Sequence, residues 1–318
     1  MKVAVTGGGG YIGGTLMRRL LAAGHSVAAL ARRSLDFEPR ERFQMVRGDL
    51  RDPHALDSLV AGADAVAHLA AYVHRPAARP AEQRECFAVN LDGTRAVIEA
   101  IERAGRSARL VFVSTVAVYG TAFTGASEEA ACAPASAYAS SKLAAEGAVR
   151  DAFARGAMPG LVLRPAMVFG PGAPGNLEKL RRVVKHGLSP QIAGGRNQKS
   201  LVHVDDLVDV LTVALTRSGA RTLYNVAADP PLTMRAIAEA LSRGRRTWPL
   251  PIPGAIATAA ASTLALAGRF GAWRLLELAR TLDTFRTTTT VESTCVLRDF
   301  AVRFRPTEDA LRELAARP

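Results

Sequence analysis

One segment constrains the fold more than any other, a glycine run between an apolar stretch and a helical pattern. Lys2–Thr6 has the apolar character of a buried strand, and in Tyr11–Ala23 apolar residues recur every three or four positions, as in a helix. A glycine-rich turn in this strand–turn–helix context binds dinucleotide phosphates. The turn needs one glycine for the bend, one for close approach of the pyrophosphate and one for helix packing, and these are Gly7, Gly10 and Gly13.

Short apolar runs then alternate with helical segments, which is typical of βαβ units around a parallel sheet. Further strands are predicted at Ser26–Ala31, Phe43–Val46, Ala65–Leu69, Arg109–Ser114 and Leu161–Arg164, and helices at about 54–61, 81–104 and 137–155. The sequence thus predicts an α/β fold with a doubly wound parallel sheet and a smaller C-terminal α/β lobe.

A stretch rich in glycine and proline, residues 169–175, is taken as the boundary between the two parts. Residues 1–168 are predicted to form the nucleotide-binding domain, and residues 169–318 the substrate-binding lobe. Residues 200–226 have a strand–helix–strand pattern and are expected to rejoin the first domain.

The amino-acid composition limits the kinds of ligand that we expect the protein to bind. Lysine and arginine number 41 against 29 aspartates and glutamates, a formal net charge of +12, so the surface attracts anions. We expect a small anionic ligand and no nucleic-acid partner. The cysteines, Cys86, Cys132 and Cys295, stand far apart without a CxxC pair, which argues against a disulfide framework and a metal site. No secretion signal is recognised, so we expect a cytoplasmic protein.

One segment of the lobe is unusually apolar. Thr247–Gly268 carries no charged residue, but prolines interrupt its start, and alanine, serine and threonine dilute the rest. It is too short and too weakly apolar to span a bilayer. We expect a buried or interfacial helix, and the alternative is a peripheral membrane contact assisted by Arg243, Arg245 and Arg246.

The end of the second predicted strand bears on the choice of cofactor. Enzymes that use NAD generally place Asp or Glu there for the ribose 2′-hydroxyl, whereas this chain has Arg32 and Arg33. A guanidinium pairs with a 2′-phosphate through forked, charge-assisted hydrogen bonds. The sequence therefore predicts a preference for NADP(H), with NAD(H) as the alternative. Asp49 and Leu50 are placed to contact the adenine; otherwise Asp49 or Asp52 caps the next helix.

A tyrosine and a lysine share one face of the helix predicted at 137–155. Tyr138 and Lys142 are four residues apart, so their side chains are neighbours. The pKa of free tyrosine is about 10, and a neighbouring ammonium lowers the pKa of the phenol. Ser114 and Thr115 end a buried strand, where α/β sheets keep functional side chains. These residues together predict proton exchange with a substrate oxygen.

Several motifs occur in a defined order along the chain. They are TGGGGYIG (6–13), DL (49–50), HLAA (68–71), VNLDGT (89–94), STVAVYG (114–120), YASSK (138–142), LRP (163–165), VFGPG (168–172) and VHVDD (202–206). In this order, and over nearly the whole chain, the sequence resembles the extended short-chain dehydrogenases/reductases, the NAD-dependent epimerase/dehydratase family with a Rossmann-type sheet.

The resemblance implies a role for each matching residue. Tyr138 would be the general acid/base, Lys142 would hold the nicotinamide ribose and depress the pKa of the tyrosine, and Thr115 would bind the reacting oxygen with Ser114 beside it. The cofactor would also meet Tyr11, Ile12, Leu69, Ala70, Ala71, Asn90, Pro165 and Val168. Asn90 could equally have only a structural role. His203 is expected to be packed, and Asp205 to cap the following helix.

The lobe resembles bacterial sugar-nucleotide 4-epimerases and 4-ketoreductases around Asn176 and Lys199. In that branch, asparagine and arginine at these positions help to hold the substrate diphosphate. Lys199 keeps the positive charge but loses the bidentate fork. Arg181, Arg182 and Lys185 could substitute for it, or could form a solvated face.

The resemblance also bears on the reaction. Dehydratases of the family carry an Asp-Glu pair after the catalytic threonine, whereas Val116 and Ala117 follow Thr115 here, so dehydration is not expected. We expect a homodimeric, NADPH-dependent reductase of a 4-keto sugar nucleotide. The alternatives are a sugar-nucleotide 4-epimerase, a carbonyl or hydroxysteroid-type reductase of an apolar ketone, and a non-catalytic NADP-binding regulator.

Overall fold

The structure, a computed structural model, describes residues 1–73, 79–105, 107–269 and 273–317. Its strands, in chain order, are β1 (Lys2–Thr6), β2 (Ser26–Ala31), β3 (Phe43–Arg47), β4 (Ala65–His68), β5 (Arg109–Val113), β6 (Phe123–Ala126), β7 (Gly160–Pro165), β8 (Met167–Phe169), β9 (Leu188–Ile192), β10 (Gln198–His203), β11 (Leu223–Val226), β12 (Ala228–Thr233), β13 (Trp248–Ile252) and β14 (Thr289–Val291). Its α-helices are α1 (Tyr11–Ala22), α2 (Pro53–Val60), α3 (Pro80–Phe87), α4 (Gly93–Arg103), α5 (Ala137–Ala154), α6 (Asn176–Lys185), α7 (Val204–Thr216), α8 (Met234–Ser242), α9 (Gly254–Arg269), α10 (Trp273–Arg286), α11 (Thr294–Phe300) and α12 (Thr307–Ala316).

The largest sheet has seven parallel strands in the order β11-β7-β5-β4-β1-β2-β3. Its register places Val3 of β1 between Val27 of β2 and Ala65 of β4. The strand order reverses between β1 and β4, and the crevice at their carboxyl ends is where such sheets bind ligands. The predicted α/β fold with a doubly wound parallel sheet is confirmed.

Helices cover both faces of this sheet, which explains why the strands are apolar on both sides. One core contains Leu16 of α1 and Leu211 of α7. The other contains Leu56 of α2, Ile101 of α4 and Val149 of α5. Burial of each such side chain contributes roughly 1.5–3 kcal/mol relative to leaving it in water. By packing on both faces, these helices fix the carboxyl ends of the strands, where the candidate site lies.

The lobe is built on a second sheet, in which β12, β10, β14 and β6 follow one another and β8 pairs with β10. The helices α6, α8 and α12 close its core. The boundary predicted at residue 168 needs two corrections: β6 precedes it but belongs to the lobe sheet, and α11 follows it but packs on β11 and α7. The prediction that segment 200–226 rejoins the first domain holds for α7 and for β11, which lies beside β7 at the edge of the large sheet. It is wrong for β10, which belongs to the lobe sheet.

Two local predictions also change. The single helix predicted at 81–104 is divided by a π-helical turn, Ala88–Asp92, between α3 and α4. The apolar segment Thr247–Gly268 forms β13, an edge strand beside β9, followed by most of α9. Among the described helices, none combines the length and the hydropathy needed to cross a membrane.

Candidate active site

The glycine turn forms a close-packed cradle at the carboxyl end of β1. Gly7 has a φ of +74°, and a Cβ there would lie 2.7 Å from the backbone nitrogen of Ala70. A Cβ on Gly13 would collide with the carbonyl oxygen of Gly7. Gly10 is the N-cap residue of α1, and no side chain of the described structure caps the N–H groups in the first turn of this helix. Such groups bind anions, a pyrophosphate included.

The backbone after β4, Leu69–Ala71, forms the wall opposite the glycines. The N–H of Ala70 donates to Thr6 Oγ1 at 3.2 Å, and the same hydroxyl contacts His68 Nδ1 at 2.6 Å. His68 Nε2 contacts Thr94 Oγ1 at 2.9 Å. Burial lowers the pKa of His68 to about 3, so the ring is neutral. A neutral imidazole thus joins β1, β4 and α4 beneath the cradle.

The π-helical turn places Asn90 under the site. Its Oδ1 accepts from the N–H of Tyr72 at 2.7 Å, and its Nδ2 donates to Ser141 Oγ at 2.8 Å. Nδ2 also lies 3.4 Å from the sulfur of Cys86. Both ends of the amide are therefore engaged by protein groups, and the side chain ties the loop after β4 to α5.

Two arginines follow β2. Arg32 and Arg33 are exposed, and within the described residues neither forms a salt bridge. Arg32 is close enough to Asp49 for its charge to favour the carboxylate. The place where an NAD-specific site would carry a carboxylate thus presents two guanidiniums.

The residues after β3 show which of the two aspartates, Asp49 or Asp52, caps the next helix. Asp49 Oδ1 accepts from Arg51 Nε at 2.9 Å. Partial burial raises the pKa of Asp49, but the hydrogen bonds and charge of Arg51 outweigh it and lower the pKa overall. Asp52, rather than Asp49, caps α2, by accepting a backbone N–H at 3.1 Å. Leu50 is buried.

Tyr138 and Thr115 meet where the first turn of α5 faces the end of β5. Ser136 caps α5, which sets the turn that carries Tyr138. Thr115 follows β5 and accepts from the N–H of Ala117 at 3.2 Å. Burial raises the pKa of Tyr138 to about 12, and hydrogen bonding to Thr115 opposes part of this rise. At neutral pH the side chain is a phenol and can donate a proton.

Lys142 lies one turn further along α5. It is 1% exposed, and its Nζ lies 4.0 Å from the centroid of the Phe112 ring. Burial lowers the pKa of Lys142 to about 7, although the charge of Glu146 opposes the shift. The expectation that Lys142 depresses the pKa of Tyr138 is therefore not met in this structure, because burial dominates both groups and favours their neutral forms.

Ser114 is engaged away from the reacting groups. Its hydroxyl donates to Glu146, which also accepts from Arg164 Nε at 3.0 Å and from Arg164 Nη2 at 2.5 Å. The exposed fractions of the Arg164 and Glu146 side chains are 3% and 2%. Arg164 Nη1 donates to the hydroxyl of Tyr119 at 2.9 Å. This buried pair was not predicted from the sequence. Two charges could have signalled it: Arg164 in an apolar strand and Glu146 on a helix face of small residues.

The predicted substrate residues of the lobe lie in different environments. Asn176 is the first residue of α6 and is partly exposed. Lys199 on β10 is 1% exposed and donates to Thr289 Oγ1 at 3.1 Å. Burial lowers the pKa of Lys199 to about 8. Of the suggested substitutes, Arg181 and Arg182 both bind Glu178, at 2.7 and 3.0 Å, whereas Lys185 is exposed and forms no salt bridge within the described residues.

Four more residues with predicted roles lie along the chain from β7 to α7. Pro165 ends β7, and Val168 pairs with Val202 across the lobe sheet. His203, not Asp205, caps α7, since its Nδ1 accepts from the N–H of Asp205 at 3.2 Å. The histidine supplies the acceptor, so the predicted aspartate cap is corrected.

A dinucleotide fits the residues at the carboxyl ends of the strands of the large sheet. The hydroxyl of Tyr11 is buried without a hydrogen-bond partner among the described residues. Burial raises its pKa, so it stays a neutral donor. A side chain at Gly7 or Gly13 would fill the space in this cradle. The two glycines therefore let a ligand approach the backbone closely. Lys142 forms no salt bridge in the described part of the chain and can bind a ribose hydroxyl.

The buried charge of Lys199 predicts a pH dependence of stability. The pKa falls from 10.5 to about 8 on folding, so between these values the unfolded chain binds more protons and the free energy of unfolding rises with pH. The gain is at most about 3 kcal/mol. Urea denaturation at pH 7 and pH 10 should show a smaller gain for Lys199→Met than for the exposed control Lys185→Met. Equal gains in both variants would contradict the assignment.

Comparison with known proteins places this geometry in a family. Residues 3–227 match the model of the NAD dependent epimerase/dehydratase family. An Escherichia coli O157:H7 protein, N-acetyl-alpha-D-glucosaminyl-diphospho-ditrans,octacis-undecaprenol 4-epimerase, is 30% identical over 259 residues, 79% of this chain and 76% of that protein. A dTDP-6-deoxy-L-talose 4-dehydrogenase (NAD(P)(+)) of Kitasatospora kifunensis is 31% identical over 262 residues, 76% and 78% of the two chains.

A solved structure of similar size extends the match to the lobe. MoeE5 in complex with UDP-glucose and NAD superposes with a TM-score of 0.75 at 26% identity, over 99% of this chain and 97% of that one. The family model covers more than half of the chain, and the relatives match most of it. The chain therefore belongs to the NAD-dependent epimerase/dehydratase family and is an NAD(P)-dependent enzyme of the extended short-chain dehydrogenase/reductase type.

Proposed function

We propose that the protein is an NADPH-dependent reductase of a 4-keto sugar nucleotide. The observation that carries the proposal is the meeting of Tyr138, Thr115 and Lys142 at the sheet edge beside the glycine cradle. A bound nicotinamide supplies the hydride. The remaining work, binding the carbonyl oxygen and protonating it, belongs to side chains of this chain.

The protonation states favour the reductive direction. Reduction of a ketone requires a proton on the oxygen that becomes a hydroxyl group, and a protonated Tyr138 can donate it. Thr115 would hold the same oxygen by a hydrogen bond. Lys142 would bind the ribose of the cofactor, and an ammonium bound there would stabilise the phenolate that remains after proton transfer. Charge on Lys142 is thus needed after the transfer more than before it.

The cofactor preference rests on Arg32 and Arg33. A single charge-assisted hydrogen bond contributes about 1.5–3 kcal/mol, so NADPH should bind at least ~10-fold more tightly than NADH. Arg32→Ala and Arg33→Ala should weaken NADPH binding and leave NADH binding nearly unchanged, measured by fluorescence titration. Arg40→Ala, which removes a nearby exposed guanidinium already paired with Asp36 and Glu38, is the control. Equal affinity of the parent protein for both cofactors would refute the preference.

The substrate class rests on the basic lobe and on the buried Lys199. A nucleoside diphosphate carries about two negative charges. A buried ammonium whose hydrogen-bond partner in the described part of the chain is the Thr289 hydroxyl gains from such a partner. UDP or dTDP should therefore raise the thermal midpoint, by mass action, once its concentration exceeds the dissociation constant. The rise should shrink more in Lys199→Met than in Lys185→Met, which removes an exposed ammonium. Relatives that act on or bind nucleotide sugars support this class.

Turnover assays distinguish the proposal from its alternatives. Keto and hydroxy sugar nucleotides are offered with NADP(H), and the change in cofactor absorbance is followed. A 4-epimerase would interconvert sugars without net cofactor consumption, because it returns the hydride to its own substrate. Turnover of a lipophilic ketone, with no nucleoside diphosphate bound at millimolar concentration, would replace the proposal by the apolar-ketone reductase.

A further inference from the structure

The lobe carries an apolar surface that the proposed reaction does not use. Among the large apolar side chains that the described residues leave exposed, all but Met1 and Val73 lie between residues 183 and 278. The most exposed are Trp248 at 72% and Ile256 at 61%. Surfaces of this kind mark interaction sites when they are contiguous.

The small sheet makes part of this surface contiguous. In the parallel register of β9 and β13, Trp248 is opposite Leu188, and Leu250 is opposite Pro190. Trp248, Leu250 and Leu188 are all exposed, at 72%, 46% and 42%. Side chains at every second position of a strand share a face, so Trp248 and Leu250 extend the same apolar strip. We call this strip the β9–β13 face.

Positive charge borders the β9–β13 face. Lys185 precedes β9, while Arg245 and Arg246 precede β13, and the strands run parallel, so these exposed cations gather at one end of the face. No salt bridge holds any of the three within the described residues. In the sequence, no carboxylate occurs between Glu178 and Asp205 or between Glu239 and Glu277.

This combination selects among partners. A second copy of the chain would bring the same cations to the face, and like charges oppose that contact. An anionic bilayer offers the complementary charge, and its interface accommodates a tryptophan beside aliphatic residues and arginines. We propose that the β9–β13 face docks the protein on the surface of an anionic lipid bilayer, as a peripheral contact. The docking stands independently of the reaction proposed above.

Vesicle flotation with the full chain tests the docking. The protein is mixed with vesicles of phosphatidylcholine alone or with about 30% phosphatidylglycerol, at low and at high salt. We expect flotation with the anionic vesicles, a fall in high salt, and little flotation with phosphatidylcholine. Equal flotation with both vesicle types, or none with either, would overturn the proposal.

Variants locate the contact. Arg245→Glu/Arg246→Glu should weaken vesicle affinity by ~10-fold or more, whereas Arg18→Glu/Arg217→Glu, with the same change of net charge elsewhere on the surface, should weaken it much less. Trp248→Ser/Leu250→Ser should also reduce flotation. NADPH affinity and the thermal midpoint check that each variant is folded. If both charge variants lose affinity equally, the face is not the contact. Loss of a dimer in the serine variant, with vesicle binding intact, would assign the face to self-association instead.

Discussion

Replacing Tyr138 with phenylalanine is expected to lower kcat by roughly 10²- to 10⁴-fold without loss of NADPH affinity. The change removes one hydroxyl group and keeps the ring on the first turn of α5. That hydroxyl is the proton donor of the proposed reaction, and an aliphatic hydroxyl such as Thr115 is a much weaker acid. Steady-state NADPH oxidation measures kcat, and fluorescence titration measures the affinity.

Tyr224→Phe is the matched control for this experiment. The hydroxyl of Tyr224 donates to Asp299 at 2.8 Å and accepts from the N–H of Arg221 at 2.8 Å, far along the chain from α5. Its loss should reduce stability and leave kcat unchanged. Near-normal turnover by Tyr138→Phe on the true substrate would remove Tyr138 from the role of general acid.

The large sheet could be predicted because its signals are local. Each of its strands is a short apolar run, and glycine or a capping residue separates it from a helix. The hydrophobic pattern and the turn or capping residues therefore indicate the same element boundaries. No such local signal specifies how the strands of the lobe sheet pair. Its strands β6, β10 and β14 come from residues 123–126, 198–203 and 289–291, and pairing between segments so far apart depends on tertiary packing.

The candidate site was predictable where a spacing reports a contact. Tyr138 and Lys142 share a helix face at any tertiary arrangement, and the glycine turn depends on its own backbone. The direction of the pKa shifts of Tyr138 and Lys142 was not predictable, because it depends on burial by neighbours distant in sequence. The π-helical turn that orients Asn90 was missed for a similar reason, since helical periodicity does not register one extra residue in a turn.

The buried pair of Glu146 and Arg164 connects the stability of the fold to the site. Glu146 is on α5, one turn beyond Lys142, and Arg164 is on β7. Their hydrogen bonds hold the helix that carries Tyr138 against the sheet. The same carboxylate opposes the fall in the pKa of Lys142. One charge thus serves both the packing of α5 and the charge of the ammonium.

Replacing Glu146 with glutamine is expected to lower the free energy of unfolding by about 3–5 kcal/mol, because it leaves the Arg164 guanidinium buried without a counter-charge. Glu239→Gln, in the exposed pair with Arg235, should cost about 0–1 kcal/mol in the same urea denaturation. Glu146→Leu/Arg164→Leu removes both charges, so it should be more stable than Glu146→Gln. A Glu146→Gln variant no less stable than Glu239→Gln would show that the pair does not hold α5 in place.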